Sequence, residues 1–443
     1  MDLSYMAEMP IEEFQQRRSQ IFAQIPTNSG LLVFSNLEYL RTASSNYPFR
    51  QDNYFWYLTG FNEPNAVLLL KKTEKGEETI LFLRPSDPLM ETWNGRRLGV
   101  EKAPTTLHID LAFSIEEIRQ QLPLLLNGLT TLYHAEEVQS WGDEIVRQTL
   151  SHMRTQQRQG IKTPTSQVCW RPILDEMRLF KSENEIRLMQ QAGQISALAH
   201  IRAMKQARPQ RFEYELASEI LHEFNRFGAR WESYPSIVAS GDNACILHYT
   251  ENDRLMQDGD LVLIDAGCEF AMYAGDITRT FPVNGKFSPA QREIYQIVLD
   301  AEKRAIELLV NGNSIKQAND EVLKIKVAGL VRLGILSGDV DTLIAEKAYT
   351  RFYMHSLGHW LGLDVHDVGG YGEDRTRTLQ PGMVVTVEPG LYIPNADDIP
   401  AAYRGIGVRI EDDLLITEYG NKVLTAAVPK EIDEIEALMA QQD

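Results

Sequence analysis

The spacing of apolar positions changes character several times along this 443-residue chain. Leu31 to Ser35, Ala66 to Lys71, Thr79 to Leu83 and Thr131 to Tyr133 read as strands, set among helix-period runs Glu12 to Gln24 and Ile115 to Leu126. That alternation predicts an α/β domain. A polar, proline-bearing stretch from Thr155 to Pro172 reads as a connector, so the expected domains are residues 1–172 and 173–443. From Ser182 the period turns helical through Ile186, Met189, Ile195 and Leu198, and a further helix from Phe212 to Phe227 stops at Gly228. Ser288 as cap, Pro289 at the first helical position and Gly312 beyond the end bracket a helix over Ala290 to Val310. Ile315 to Leu333 forms another, ended by Gly334. Helices interleaved with antiparallel-looking strands predict an α+β fold overall, not a doubly wound parallel sheet.

Acidic residues sit where these strands end. The apolar run Leu261 to Ile264 leads into Asp265, and Asp276 to Val283 reads as its return strand. A turn centred between Phe270 and Ala271 would set Asp265 opposite Asp276. Two opposed carboxylates repel, and burying them calls for a cation or a shared proton. The pattern recurs: GDLVLIDAG over residues 259–267 lines up with GMVVTVEPG over 382–390, which aligns Asp265 with Glu388. Folding back about Ile399 and Pro400 would then set Glu411 opposite Glu388. The alternative is solvated strand-end acids paired with Arg279, Arg404 and Arg409.

Composition narrows the classes. The net charge of -18 disfavours nucleic acid or an anionic membrane as partner, because each needs a basic face. No run of roughly 18 apolar residues occurs and the first residues do not read as a signal peptide, so no membrane association is expected. Three cysteines, Cys169, Cys245 and Cys268, lack metal or redox spacing and fit free thiols in the cytoplasm.

Histidines cluster near the second acidic pair. His355, His359 and His366 fall within HSLGHWLGLDVHDVG, and His248 lies in a separate strand-like run. Gly358 and Gly362 argue against a regular helix there and for a segment that approaches another closely. Four acids and one histidine make a hard, oxygen-rich ligand set, able to bridge two divalent ions and favouring manganese over a thiolate-type zinc site.

The ordered stretches SGDNACILHYTEN, DAGCEFAMYAGDITRTFPVNG, HSLGHWLGLDVHDVG, TVEPGLYI and YRGIGVRIEDD resemble the pita-bread metallopeptidases of family M24B, specifically aminopeptidase P. YPFRQDNYFWYLTGFNEP and WNGRRLG extend the resemblance into the first domain. It implies an N-terminal aminopeptidase P domain followed by a pita-bread catalytic domain. It also implies Asp265, Asp276, His359, Glu388 and Glu411 as ligands of two Mn²⁺ ions, and peptides with proline at the second position as substrates. A hydroxide bridging the metals would attack the carbonyl before that proline, with Glu388 shuttling the proton and His248 and His366 stabilising the tetrahedral intermediate. Arg409 and Tyr392 would support the metal shell and the proline side, and His355 would line the substrate site. Trp93, within WNGRRLG, would either close over a substrate pocket or stand as a packed surface aromatic, and the assembly would be a homotetramer. Ser356 stands where glycine is expected in relatives, and Ser44 where an aspartate can occur; neither touches the ligand set.

Prolidase is the nearest alternative enzyme, differing in accepting only dipeptides. Methionine aminopeptidase fits less well because its familiar forms lack the large first domain, and creatinase because it lacks the metal ligands. A pita-bread module that binds peptides without cleaving them is the alternative from another class; intact ligands argue against it.

Overall fold

The computed structural model describes residues 8–441 and divides into two compact units that part between Met177 and Arg178. The N-terminal unit is built on a six-stranded mixed sheet in the order Leu111–Ser114, Gly76–Leu83, Val67–Thr73, Ser29–Phe34, Thr131–Tyr133, Ser166–Val168. The three strands Gly76–Leu83, Val67–Thr73 and Ser29–Phe34 are antiparallel, and the outer ones join in parallel. Leu32, Leu69, Ile80 and Phe82 pack there against Leu122, Leu126, Val146 and Leu150 from two helices, Ile118–Leu126 and Ser140–Thr155. The expected connector is partly a sheet element: Ser166–Val168 pairs with Thr131–Tyr133.

The C-terminal unit carries long helices whose ends follow their capping residues. Ser182 and Glu185 form a reciprocal cap at the start of Glu183–Gln206, and Ser288 and Gln291 do the same for Pro289–Leu308. Pro289–Leu308 and Ile315–Arg332 bury Ala301, Ala305 and Val322 against Val385, Val387, Leu414 and Ile416 of the sheet beneath. One antiparallel sheet runs Ile237–Ser240, Leu261–Asp265, Thr278–Pro282; another runs Val384–Val387, Asp412–Thr417, Gly420–Val423. A bridge between Thr278 and Glu411 joins them. Among the described residues no helix is long and apolar enough to cross a membrane.

The two acidic hairpins differ in how their register works out. Val387 pairs with Asp412 and Gly390 with Arg409, a single register that sets Glu388 opposite Glu411 as expected. In the first hairpin Asp265 pairs with Thr278, not with Asp276. Ala271 and Met272 both adopt positive φ, centring the turn between them, one residue later than expected and moving each cross-strand partner by two. Asp276 therefore leaves the ladder. It reaches Asp265 by another route, because Gly267 and Gly275 let the two chains cross: a Cβ on Gly267 would lie 1.7 Å from the Gly275 carbonyl oxygen.

Candidate active site

Strand ends deliver the acids into a cavity of roughly 940 Å³ in the C-terminal unit. Asp276 and Glu411 are buried and Asp265 and Glu388 partly so. The Tyr234 hydroxyl bridges the first pair, 2.6 Å from Asp265 Oδ1 and 2.5 Å from Asp276 Oδ1. Thr278 Oγ1 donates to Glu411 Oε2 at 2.7 Å and Thr386 Oγ1 to Glu388 Oε1 at 3.3 Å. Each acid thus has a hydroxyl that orients it, and all four acids line the cavity.

His359 arrives on an irregular segment, as the neighbouring glycines require. A Cβ on Gly358 would lie 2.0 Å from the Thr386 carbonyl oxygen, so only glycine lets this segment lie against the strand Val384–Val387. His359 N donates to Thr386 Oγ1 at 3.0 Å, and its Nδ1 lies 3.0 Å from the Trp360 carbonyl oxygen. A carbonyl only accepts, so Nδ1 carries the proton and the Nε2 lone pair is free. Nε2 faces Asp276 Oδ2 at 3.6 Å and Glu388 Oε1 at 3.5 Å. Ligand atoms of Asp276, His359 and Glu411 all lie within 4.8 Å of one another, a group able to hold a metal ion.

The electrostatics match a site built around positive charge. Burial, then the charge of Asp265, holds the Asp276 carboxyl well above its ordinary range, and burial with Asp276 does the same to Glu411. Burial raises Glu388 to about 7 and lowers His359 to about 4. Protons or cations must offset carboxylates this crowded.

Asp265 differs, because it has a cation within the protein. Arg409 Nη2 donates to Asp265 Oδ2 at 2.6 Å, Nη1 to the Tyr392 hydroxyl at 2.9 Å, and Nε to Thr278 Oγ1 at 3.1 Å. Tyr392 in turn meets His355 Nε2 at 2.8 Å; His355 Nδ1 points at the Ser356 carbonyl oxygen, so Nε2 accepts from the tyrosine. Of the three arginines proposed as simple partners, Arg279 binds Asp412 and Arg404 binds Asp397. Arg409 pairs with the carboxylate of a predicted ligand, whereas Arg279 reaches only the backbone carbonyl oxygen of one, Glu411, at 2.6 Å.

His366 and His248 line the same cavity. The His366 ring lies 4.2 Å from that of His359, and its loop is tied down where Asp367 accepts from Arg178 at 2.6 Å and Lys181 at 2.9 Å. Trp93 belongs to the N-terminal unit, on the helix Pro88–Asn94, and is 78% exposed. Sequence reasoning missed Tyr234, Thr278, Thr386 and Arg375, which lines the cavity and donates to the Gly358 carbonyl oxygen at 2.7 Å. Thr386 stands two residues before Glu388, the same-face spacing of a strand, whereas Tyr234 and Arg375 stand at no spacing from the acids that would mark them.

Comparison with known proteins agrees with this geometry. The model of metallopeptidase family M24 matches residues 187–418, and that of the aminopeptidase P N-terminal domain matches residues 14–133. The chain belongs to metallopeptidase family M24. An Xaa-Pro aminopeptidase of Haemophilus influenzae is 66% identical over 439 residues, covering 99% of this chain and 100% of the relative. One from Escherichia coli is 56% identical over 435 residues, covering 98% and 99%. Zinc-substituted E. coli aminopeptidase P in complex with product superposes with a TM-score of 0.97 at 55% identity, covering 98% of this chain and 99% of that one. The same enzyme with the inhibitor Pro-Leu gives the same values. This M24 peptidase therefore has the two-part architecture expected, an aminopeptidase P N-terminal domain followed by a pita-bread domain.

Proposed function

We propose that Asp265, Asp276, His359, Glu388 and Glu411 together hold two divalent metal ions, manganese in the cell, for cleavage of peptides with proline at the second position. The chain is an Xaa-Pro aminopeptidase, and relatives of this identity do not favour prolidase. The observation that carries the two-metal reading is the convergence of free ligand atoms from Asp276, His359 and Glu411, with Asp265 and Glu388 beside them in one cavity. Carboxylate oxygens and one imidazole form a hard donor set, which supports manganese. The raised carboxyl pKa values of Asp276 and Glu411 fit a site that gives up protons when cations enter.

When bound, two such ions supply a water-derived nucleophile near neutral pH and a positive field for the scissile carbonyl. The protein's residues do the rest. Glu388 accepts the proton of the attacking water and returns it to the leaving proline nitrogen, a step of roughly 10²–10⁴-fold. His248 and His366 donate to the oxyanion that develops. Arg409 holds Asp265 and, through Tyr392, sets the face on which proline rests, with His355 on the same wall. Trp93, solvent-exposed here, is assigned to closing the substrate pocket in the assembly.

The remaining reading is of a cytoplasmic homotetramer whose two domains divide at residues 172/173. Three free cysteines support a reducing compartment, and exposed Tyr39, Leu89 and Trp93 supply apolar surface for subunit contact. Metal analysis of the purified protein and its His359→Ala variant tests the centre: two ions per chain, reduced in the variant, agree with it. A single ion in the native protein contradicts it.

A further inference from the structure

We propose that Glu213 is a positioning residue for His248, fixing the segment on which that histidine reaches the cavity. Glu213 opens the helix Glu213–Arg226 and is fully buried. Its Oε1 accepts from the Ser240 backbone N and Oγ, both at 2.7 Å, and from Asn243 Nδ2 at 3.3 Å. Its Oε2 accepts from the Tyr249 hydroxyl at 2.7 Å and the Arg254 backbone N at 3.0 Å. The Glu213 backbone N donates to the Arg254 carbonyl oxygen at 3.0 Å. One carboxylate thus ties down both ends of segment 240–254 and the residue immediately after His248.

His248 depends on that anchorage. Its side chain is exposed at the cavity wall, and among the described residues its ring forms no hydrogen bond. Only the backbone of its segment decides where it stands. Arg254 completes the clamp, donating to Ser240 Oγ and Asp260 Oδ2, both at 2.7 Å, and packing over Gly241, whose φ of +59° suits a residue without Cβ. The helix carrying Glu213 lines no part of the cavity, so it acts at a distance.

The chemistry of the carboxylate makes this testable without changing shape. An ionised glutamate only accepts, whereas glutamine presents an amide NH₂ on one arm. In Glu213→Gln that arm faces N–H or O–H donors, and at least one is left unpaired, loosening the segment. A displacement of about 1 Å at a catalytic group costs roughly 10²-fold.

The inference rests on the reading of His248 as an oxyanion donor, and the experiment separates the two. Steady-state cleavage of Ala-Pro-Ala by manganese-loaded enzyme is compared for native, Glu213→Gln, His248→Ala and the double variant, with metal content and Tm measured on each. The expected result is that Glu213→Gln lowers kcat by about 10- to 100-fold with metal content kept, and costs less than about twofold more once His248 is alanine. An equal cost in both backgrounds, or none in either, overturns the role of Glu213. A His248→Ala enzyme as active as the native one overturns the reading of His248 itself. Should Glu213→Gln fail to fold, Tyr249→Phe removes one donor only, and the same dependence on His248 is expected of it.

Discussion

Arg409 places one guanidinium nitrogen 2.6 Å from Asp265 Oδ2 and so pairs that carboxylate directly with a positive charge inside the protein. The same guanidinium holds Tyr392 and Thr278, three partners in a fixed planar fork. Lysine offers a point charge and cannot span them. Arg409→Lys is expected to lower kcat/KM by about 10- to 100-fold while the protein stays folded. Steady-state kinetics with circular dichroism check this; native-like kinetics would show that the fork is dispensable.

Tyr234 is half-buried, and the burial of its hydroxyl together with the neighbouring aspartates holds that hydroxyl in the protonated form. Removing that hydroxyl in Tyr234→Phe takes away the one O–H group that lies between the two aspartates. Orienting partners of this kind are worth about 10- to 100-fold in metal affinity. Manganese titration by calorimetry should show a weakening of that order, and an unchanged affinity would remove Tyr234 from the site.

Metal removal should leave a signature in pH. Asp276 and Glu411 have raised folded-state pKa values, so above the ordinary carboxylate range the metal-free native state binds more protons than the unfolded chain. Its stability therefore falls as pH rises toward those folded values. Bound cations replace the protons and abolish the loss. The gap in Tm between metal-loaded and chelator-treated protein is expected to widen from pH 6 to pH 8; a constant gap would contradict the assignment.

Lys326 is an amine buried in the helix Ile315–Arg332, its Nζ against the ring of Tyr353 and without a hydrogen-bond partner among the described residues. Burial lowers its pKa far below the usual lysine value. The unfolded chain then binds the extra proton, so stability rises with pH up to the ordinary lysine range. Lys326→Met removes the cost, and a gain of even ~1 kcal/mol raises Tm by about 2–4 °C. Thermal melts should show the gain at pH 7 and its shrinkage by pH 10. A lower Tm for the variant at pH 7 would mean that the amine has a partner.

Much of the catalytic unit was legible because its signals are local. Ser182, Ser288 and Pro289 start their helices where capping chemistry says they must. The aligned acids Asp265 and Glu388 both come at the ends of strands, and the Glu388–Glu411 register held across a long proline-bearing loop because both flanking strand pairs share it. Asp265 and Asp276 do share a site, yet not by direct pairing. Ala271 and Met272 take positive φ without the glycine or asparagine that usually announces such a turn. Ser166–Val168 escaped notice since it is short and exposed, with no alternation to read. Tyr234 and Glu213 act across long stretches of sequence, and no spacing rule links them to the residues they hold.

The most direct test of the central claim is hydrolysis of Ala-Pro-Ala by the manganese-loaded enzyme, run beside Ala-Ala-Ala and a Glu388→Gln variant. Glutamine keeps the size of Glu388 but cannot carry the proton. Release of alanine from Ala-Pro-Ala alone, reduced by at least about 10²-fold in the variant, is the predicted result. Equal cleavage of both peptides, or a variant as active as the native enzyme, would contradict it.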